Sequence, residues 1–240
     1  MNKIIKTEFY KLRHNWGFIL LMFISVAVYG GLSYMSETSA DAVSAISQMG
    51  SFAAFLPIFA AVSTASIVCD DYQLKTMKNI VSSGVSRSDI FFGKYIASML
   101  TTFLLLVLDA AVTIIVCTYF KGFGKIDVVM QQLLINIVLQ IVVVLIFNTF
   151  SFVIASILKS SKSTIILSTI LYLMDGAIFA GIASLTKIKL IGETSLSAIE
   201  TDIENYSMAG NDYLILGIHL LLAILLLGIA LIKFKKSEIK

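Results

Sequence analysis

Residues 95–120 read YIASMLTTFLLLVLDAAVTIIVCTYF, with one acid, Asp109, and no base. The hydrocarbon core of a bilayer is ~30 Å thick, so about 20 residues at about 1.5 Å each cross it as a helix. Helical pairing satisfies every backbone group inside the segment, which lipid requires. Working outward, the runs 16–35, 45–69, 128–158, 164–186 and 213–234 have the same apolar character. Together they claim most of a 240-residue chain that is 58% hydrophobic and 14% charged. A water-soluble domain carries about 45–50% apolar and about 25% charged residues. The expected fold is therefore all-α: a polytopic membrane protein with six transmembrane helices in a single domain spanning 1–240. It adds an interfacial helix over 1–15, a cytoplasmic segment over 70–88 and an outer loop or helix over 187–211.

The eighteen Lys and Arg set the orientation. They cluster at the N-terminus (Lys3, Lys6, Lys11, Arg13), between spans two and three (Lys75, Lys78, Arg87, Lys94), between spans four and five (Lys159, Lys162) and at the C-terminus (Lys233, Lys235, Lys236, Lys240). Only Lys121, Lys125, Lys187 and Lys189 fall on the other side. Positive charge marks the cytoplasmic face, so both termini are expected there, in a plasma membrane. The first apolar run is too long for a signal peptide and reads as a span. These scattered cations form no nucleic-acid-binding face. Cys69 and Cys117 fall on opposite sides, with no ligand set for a metal around them. The chain lacks the Gly-x-x-x-x-Gly-Lys-[Ser/Thr] phosphate cradle, a His-Glu-x-x-His pair and a Gly-x-Ser-x-Gly elbow, so neither nucleotide hydrolysis nor other catalysis is expected of it.

Ahead of span one, Ile5, Phe9, Leu12 and Trp16 recur at helical spacing, with Lys3, Lys6 and Arg13 available to lipid phosphates. The cytoplasmic stretch 70–94 reads DDYQLKTMKNIVSSGVSRSDIFFGK. Leu74, Met77 and Val81 make a short apolar stripe, with Asp70 and Asp71 read as first-turn anions and Gly84 as a C-terminal cap. Ser86-Arg87-Ser88-Asp89 has the form of a capping box that opens span three. Two uses remain open on physical grounds: a docking knob exposing Lys75, Lys78 and Arg87, or a solvated loop whose cations only set topology.

Residues 55–100 resemble the permease subunits of type-2 ATP-binding-cassette transporters. Asp71-Tyr72, Thr76, Ser86-Arg87 and Gly93-Lys94 follow that family's order of an acidic-aromatic pair, a Gly-Thr, a Ser-Arg and a Gly-Lys. The departures are Asp71 in place of the usual Glu and Lys75 in place of the usual Gly. The resemblance implies that Asp71 to Ser83 form a coupling helix seated on a cytoplasmic ATPase subunit. Contacts would come from Asp71, Tyr72, Leu74, Lys75, Thr76, Met77, Lys78, Ser86 and Arg87. It further implies that ATP and Mg are bound by that partner, with no cofactor in this chain, and that two permeases, identical or sisters, enclose the path. Small permeases lacking a large outer domain are similar to bacterial exporters of antimicrobial peptides, including bacteriocin-immunity and phenol-soluble-modulin exporters.

Asp109 and Asp175 fall near the centres of spans three and five, where an acid costs about 2.5–3.5 kcal/mol on insertion scales. With Gln140 and Asn148 they are candidate lining of the translocation path, or polar packing satisfied by neighbours such as Ser168 and Thr169. A proton- or ion-coupled secondary transporter would place the two acids at its centre. Pro57 is the only proline and a possible kink in span two. Beyond span five, Leu196, Ile199, Ile203 and Tyr206 recur at helical spacing, with Ser197 and Glu200 as an expected capping box. That stretch is expected to be a short helix at the outer mouth, either a plain surface cap or, as in the permeases it resembles, a re-entrant or capping outer gate.

Overall fold

The computed structural model describes residues 1–35, 55–122, 130–187, 194–205 and 207–237, which are predominantly helical, with no strand among them. In chain order they are α1 (Asn2–His14), α2 (Trp16–Met35), α3 (Leu56–Gln73), α4 (Met77–Ser82), α5 (Arg87–Lys121), α6 (Met130–Leu158), α7 (Ser161–Thr186), α8 (Leu196–Glu204) and α9 (Gly210–Lys236). Among the described residues, α2, α5, α6, α7 and α9 are long and apolar enough to cross a membrane.

The sixth crossing follows from the termini. The Met1 ammonium lies 3.6 Å from Asp89 at the start of α5. Arg87 donates to the carbonyls of Lys235 (2.6 Å) and Ser237 (2.9 Å) at the end of α9. Both termini thus sit at one end of the bundle, here termed the basic end, and a chain that leaves and returns to one side crosses an even number of times. α3 completes the count, packed against α5, α6 and α7 at the centre of the bundle. It covers the second expected span only from Leu56 onward, and residues 45–54 lie outside the described residues. Pro57 sits in its first turn, where no intrahelical N–H is needed, so it opens the helix and does not kink it.

Side chains that lipid could not satisfy turn inward. Asn148 of α6 is fully buried. Its Oδ1 accepts from Thr64 of α3 (2.7 Å) and from Ser98 (3.2 Å) and Thr102 (3.0 Å) of α5. Its Nδ2 donates to Ser98 Oγ at 3.1 Å. Such bonds between membrane helices contribute about 0.6 kcal/mol each, and here they fix the register of three helices at once. On α7 the buried residues are Thr164, Ser168 and Asp175, while Ile166, Leu173 and Leu185 face outward. At the basic end Phe91 packs edge-on against Phe152 and tilted against Phe234, joining α5, α6 and α9.

α8 is the expected helix beyond span five, and its contacts match the re-entrant alternative more closely than a surface cap. Asp175 Oδ2 accepts from the Ser197 backbone N–H at 3.1 Å, and Asn136 Nδ2 donates to the Ile203 carbonyl at 2.6 Å, so membrane helices hold both ends of α8. Asp175 lies roughly 21 Å along α7 from Ser161 at 1.5 Å per residue, well inside a ~30 Å hydrocarbon core. α8 therefore re-enters the bundle, with Leu196, Ile199 and Ile203 fully buried against α6 and α9. Its N-cap is Ser195, which accepts from Ala198 N at 3.1 Å, so the expected pairing of Ser197 with Glu200 is displaced by two residues. Tyr206 lies outside the described residues.

Candidate functional site

The apolar stretch of α3 ends at Cys69, yet the helix continues through Asp70, Asp71, Tyr72 and Gln73. It continues because both acids are held. Ser66 donates to Asp70 Oδ2 at 2.6 Å. Asp71, buried beside α1 and α5, takes Lys94 Nζ at 2.6 Å and Lys11 Nζ at 2.8 Å. Glu8 of α1 receives the same two ammoniums, Lys94 at 3.0 Å and Lys11 at 3.2 Å. Lys94 also donates to the Ile67 carbonyl. Two acids and two lysines thus form a neutral square joining α1, α3 and α5. Glu8, Asp71 and Lys94 are each under 5% exposed, and Lys11 alone reaches solvent. Burial opposes ionisation of Asp71, but the Lys94 and Lys11 ammoniums and the Thr76 hydroxyl outweigh it, holding its carboxyl down at about 2. For Lys11, burial disfavours the charged form, and its bonds and proximity to Asp71 and Glu8 more than compensate, leaving its pKa raised.

The expected single helix over 71–83 is two pieces with a sharp joint. Asp70 and Asp71 close α3 at its C-terminus and do not open α4, because their charges are neutralised by neighbouring helices and need no helix N-terminus. Lys75 then takes φ +57°, left-handed backbone in which glycine alone escapes the steric penalty. That geometry accounts for the glycine usual in the resembling family. Thr76 donates to Asp71 Oδ1 at 2.7 Å, binding the turn back onto the charge square. Met77 is buried, whereas Leu74 is 72% exposed; Lys75 and Lys78 are exposed as well. The expected stripe of Leu74, Met77 and Val81 is therefore split, with Met77 packed on the core and Leu74 facing out. Gly84, at φ +81°, ends α4 as expected, its N–H donating to the Val81 carbonyl at 3.3 Å.

The remaining residues of the pattern hold the same junction. Ser86 caps α5, accepting from Asp89 N at 3.1 Å and donating to Asp89 Oδ2 at 2.7 Å. Arg87 binds the end of α9, as above, where its charge suits a helix C-terminus. A Cβ on Gly93 would stand 2.8 Å from Ile4 Cγ2, so glycine is what lets α1 lie on α5. The Tyr72 ring carries Lys159 Nζ 5.0 Å from its centroid, and Gln73 donates to Ser161 at 3.1 Å, tying in the turn between α6 and α7. Between α1 and α4 a cleft of about 870 Å³ opens over the square, its mouth bearing Lys3, Tyr10 and His14.

The four intramembrane candidates are not gathered into one site. Asn148 belongs to the three-helix knot and Asp175 to the seat of α8. Gln140 is nearly buried in α6, and its Nε2 has no partner among the described residues. Asp109 is also buried, with neither carboxylate oxygen hydrogen-bonded among the described residues.

Glu8 is the site residue that sequence spacing missed. The expected α1 stripe of Ile5, Phe9, Leu12 and Trp16 is rotated: Ile4, Glu8 and Leu12 face the bundle, and Trp16 is 82% exposed. One acid on the apolar side of an otherwise basic helix was the available signal.

A search of curated proteins returned no match to the chain. The family model described as ABC-2 family transporter protein matches residues 4–176, from Ile4 on Gly93, through the charge square, to the acid that seats α8. The chain belongs to the ABC-2 transporter family, as a multi-pass transport subunit of its membrane component.

Proposed function

We propose that this chain is the permease of an ATP-driven exporter in a bacterial plasma membrane, with the basic end in the cytoplasm. A separate ATP-binding-cassette subunit binds ATP and Mg and docks on the knob formed by α4 and the preceding turn. The observation that carries this reading is the exposure of Leu74, Lys75 and Lys78 directly beside a turn that Thr76 and Asp71 bind to three buried helix ends. A partner gripping that surface engages a rigid junction and not a loose loop. Two permeases, as a homodimer or a pair of sisters, would form the path, and its cargo would be amphipathic or antimicrobial peptides entering from the membrane. The short outer elements and the apolar flanks support that cargo class. A proton-coupled mechanism built on Asp109 and Asp175 has less support, since Asp175 is engaged by the Ser197 N–H.

The test is co-purification of the chain with its ATPase, followed by ATP hydrolysis in lipid with and without an amphipathic cationic peptide. Leu74→Glu and Lys78→Glu alter exposed positions and should abolish copurification while leaving the permease folded. Met77→Glu strikes the core and serves as the unfolding control. Retained binding in both surface variants removes the knob from the interface. Wild-type binding without peptide-stimulated hydrolysis removes the peptide class alone.

A further inference from the structure

At the far end of α1 from Met1, α1, α2 and α5 enclose a groove of about 350 Å³. Phe9 and Leu12 of α1, Ile19 and Met22 of α2 and Leu104 of α5 form its apolar lining, and Arg13 is the only charged residue in it. Leu12 is buried at the floor, while Leu104 and Arg13 are exposed at the opening.

Arg13 is conspicuous for what it does not do. The chain has two arginines, Arg13 and Arg87, and Arg87 binds two carbonyls at the end of α9. On α1, Lys11 turns inward to two acids. Arg13 makes no hydrogen bond or ion pair among the described residues. Its planar fork matches phosphate oxygens bidentately, unlike the point charge of a lysine. One turn further on, Trp16 projects outward at the start of the first crossing, a side chain suited to the headgroup level.

We propose that this groove holds an acyl chain of one anionic phospholipid whose phosphate is bound by Arg13. The charge at the mouth selects the headgroup, and the apolar walls accept the chain. The site matters to the junction because Leu12, at its floor, lies on the same buried face of α1 as Ile4 and Glu8. A lipid in the groove presses that face onto α5. The inference depends on the membrane placement of α1 and α2 and not on cargo or ATPase.

Trp16 is the only tryptophan and serves as the probe in reconstituted full-length chain. Vesicles are made with brominated-chain phosphatidylglycerol or brominated-chain phosphatidylcholine, and quenching gives their relative association. The glycerol lipid is expected to be favoured roughly fivefold, the effect of one cation at an anionic surface. Arg13→Gln should bring the ratio close to one, while Lys6→Gln, on the exposed side of α1, leaves it intact. Ile19→Phe, which narrows the groove without changing charge, should lower the ratio too. Parity in the wild type overturns the proposal. So does an equal loss in Arg13→Gln and Lys6→Gln, which would mean diffuse surface attraction, and so does a preference untouched by Ile19→Phe, provided that circular dichroism shows each variant folded.

Discussion

Replacing Lys94 by Met removes the centre of the charge square. Its ammonium lies 2.6 Å from Asp71 and 3.0 Å from Glu8, and at an effective dielectric of 20 each contact is a gross attraction of about 5–6 kcal/mol. Desolvation cancels much of that, so the informative quantity is the loss when one partner leaves, about 3–5 kcal/mol for a buried pair. Lys11 still touches both acids, which places the expected loss at the lower end, about 3 kcal/mol. Two carboxylates would then share one half-exposed ammonium. Removing the surplus charge with Glu8→Gln in the Lys94→Met background should therefore recover about 1–2 kcal/mol, a coupling expected of groups in one network. The assay is unfolding in mixed dodecylmaltoside and dodecyl sulfate micelles, followed by circular dichroism, over the four proteins of the cycle. A loss below about 1 kcal/mol for Lys94→Met, or further destabilisation on adding Glu8→Gln, would refute the argument that the square is held by mutual neutralisation.

Lys75→Gly relieves left-handed backbone and should raise stability by up to about 1 kcal/mol in the same assay with ATPase binding retained; lower stability would mean that the lysine stem packs on something that matters. Gly93→Ala drives a Cβ to 2.8 Å from Ile4 and should unseat α1, read as a shift in Trp16 fluorescence that Ile4→Ala reverses; an unshifted single variant contradicts the close approach. The Asp71 carboxyl is depressed to about 2, so its contribution, on the order of 2 kcal/mol, is complete above its unfolded value near 3.9 and lost as pH falls through about 2. Asp71→Asn should flatten the unfolding midpoint across that acid window, and a profile identical to wild type would exclude Asp71 as its source. Asp71→Glu inserts a methylene where three donors already lie within 2.9 Å and should destabilise by about 1–3 kcal/mol; a neutral result would show that the turn relaxes around the longer acid.

The bundle was legible in the sequence because lipid leaves a chain few choices: apolar runs of span length must be helices. The capping of α5 by Ser86 and the stop at Gly84 were equally legible, being local geometry written in adjacent residues. What failed were readings that depend on a distant partner. Asp70 and Asp71 look like first-turn acids until Lys94 and Lys11 are seen to hold them at the end of α3. Met77 resembles a surface anchor until α4 is folded back against the core. Periodicity located the α1 stripe one residue off, since only the presence of Lys94 makes Glu8 a buried side chain. For Asp175 path lining and polar packing both stayed open, because its partner is a backbone N–H twenty-two residues later, which carries no sequence signature.

These long-range partners determine how the α4 turn is held. A helix as short as α4, six residues, has no stability of its own, so its orientation is set by its two ends. The first end is pinned through Thr76 to Asp71 and the second through Gly84 and the Ser86 cap to α5. Only Leu74 and Lys75, the latter in left-handed backbone, separate α3 from that unit. A displacement applied at Leu74 or Lys78 thus reaches α3 and α5 together, with α1 attached through the square. The two helices are bonded again deeper in the bundle by Thr64, Ser98 and Asn148, which opposes sliding between them. Through Thr64, Ser98, Thr102 and Asn148, α3, α5 and α6 are thus joined as one packed unit. α2 is bound to the same helices from α5, whose Lys121 Nζ donates to the Ser33 carbonyl at 2.9 Å.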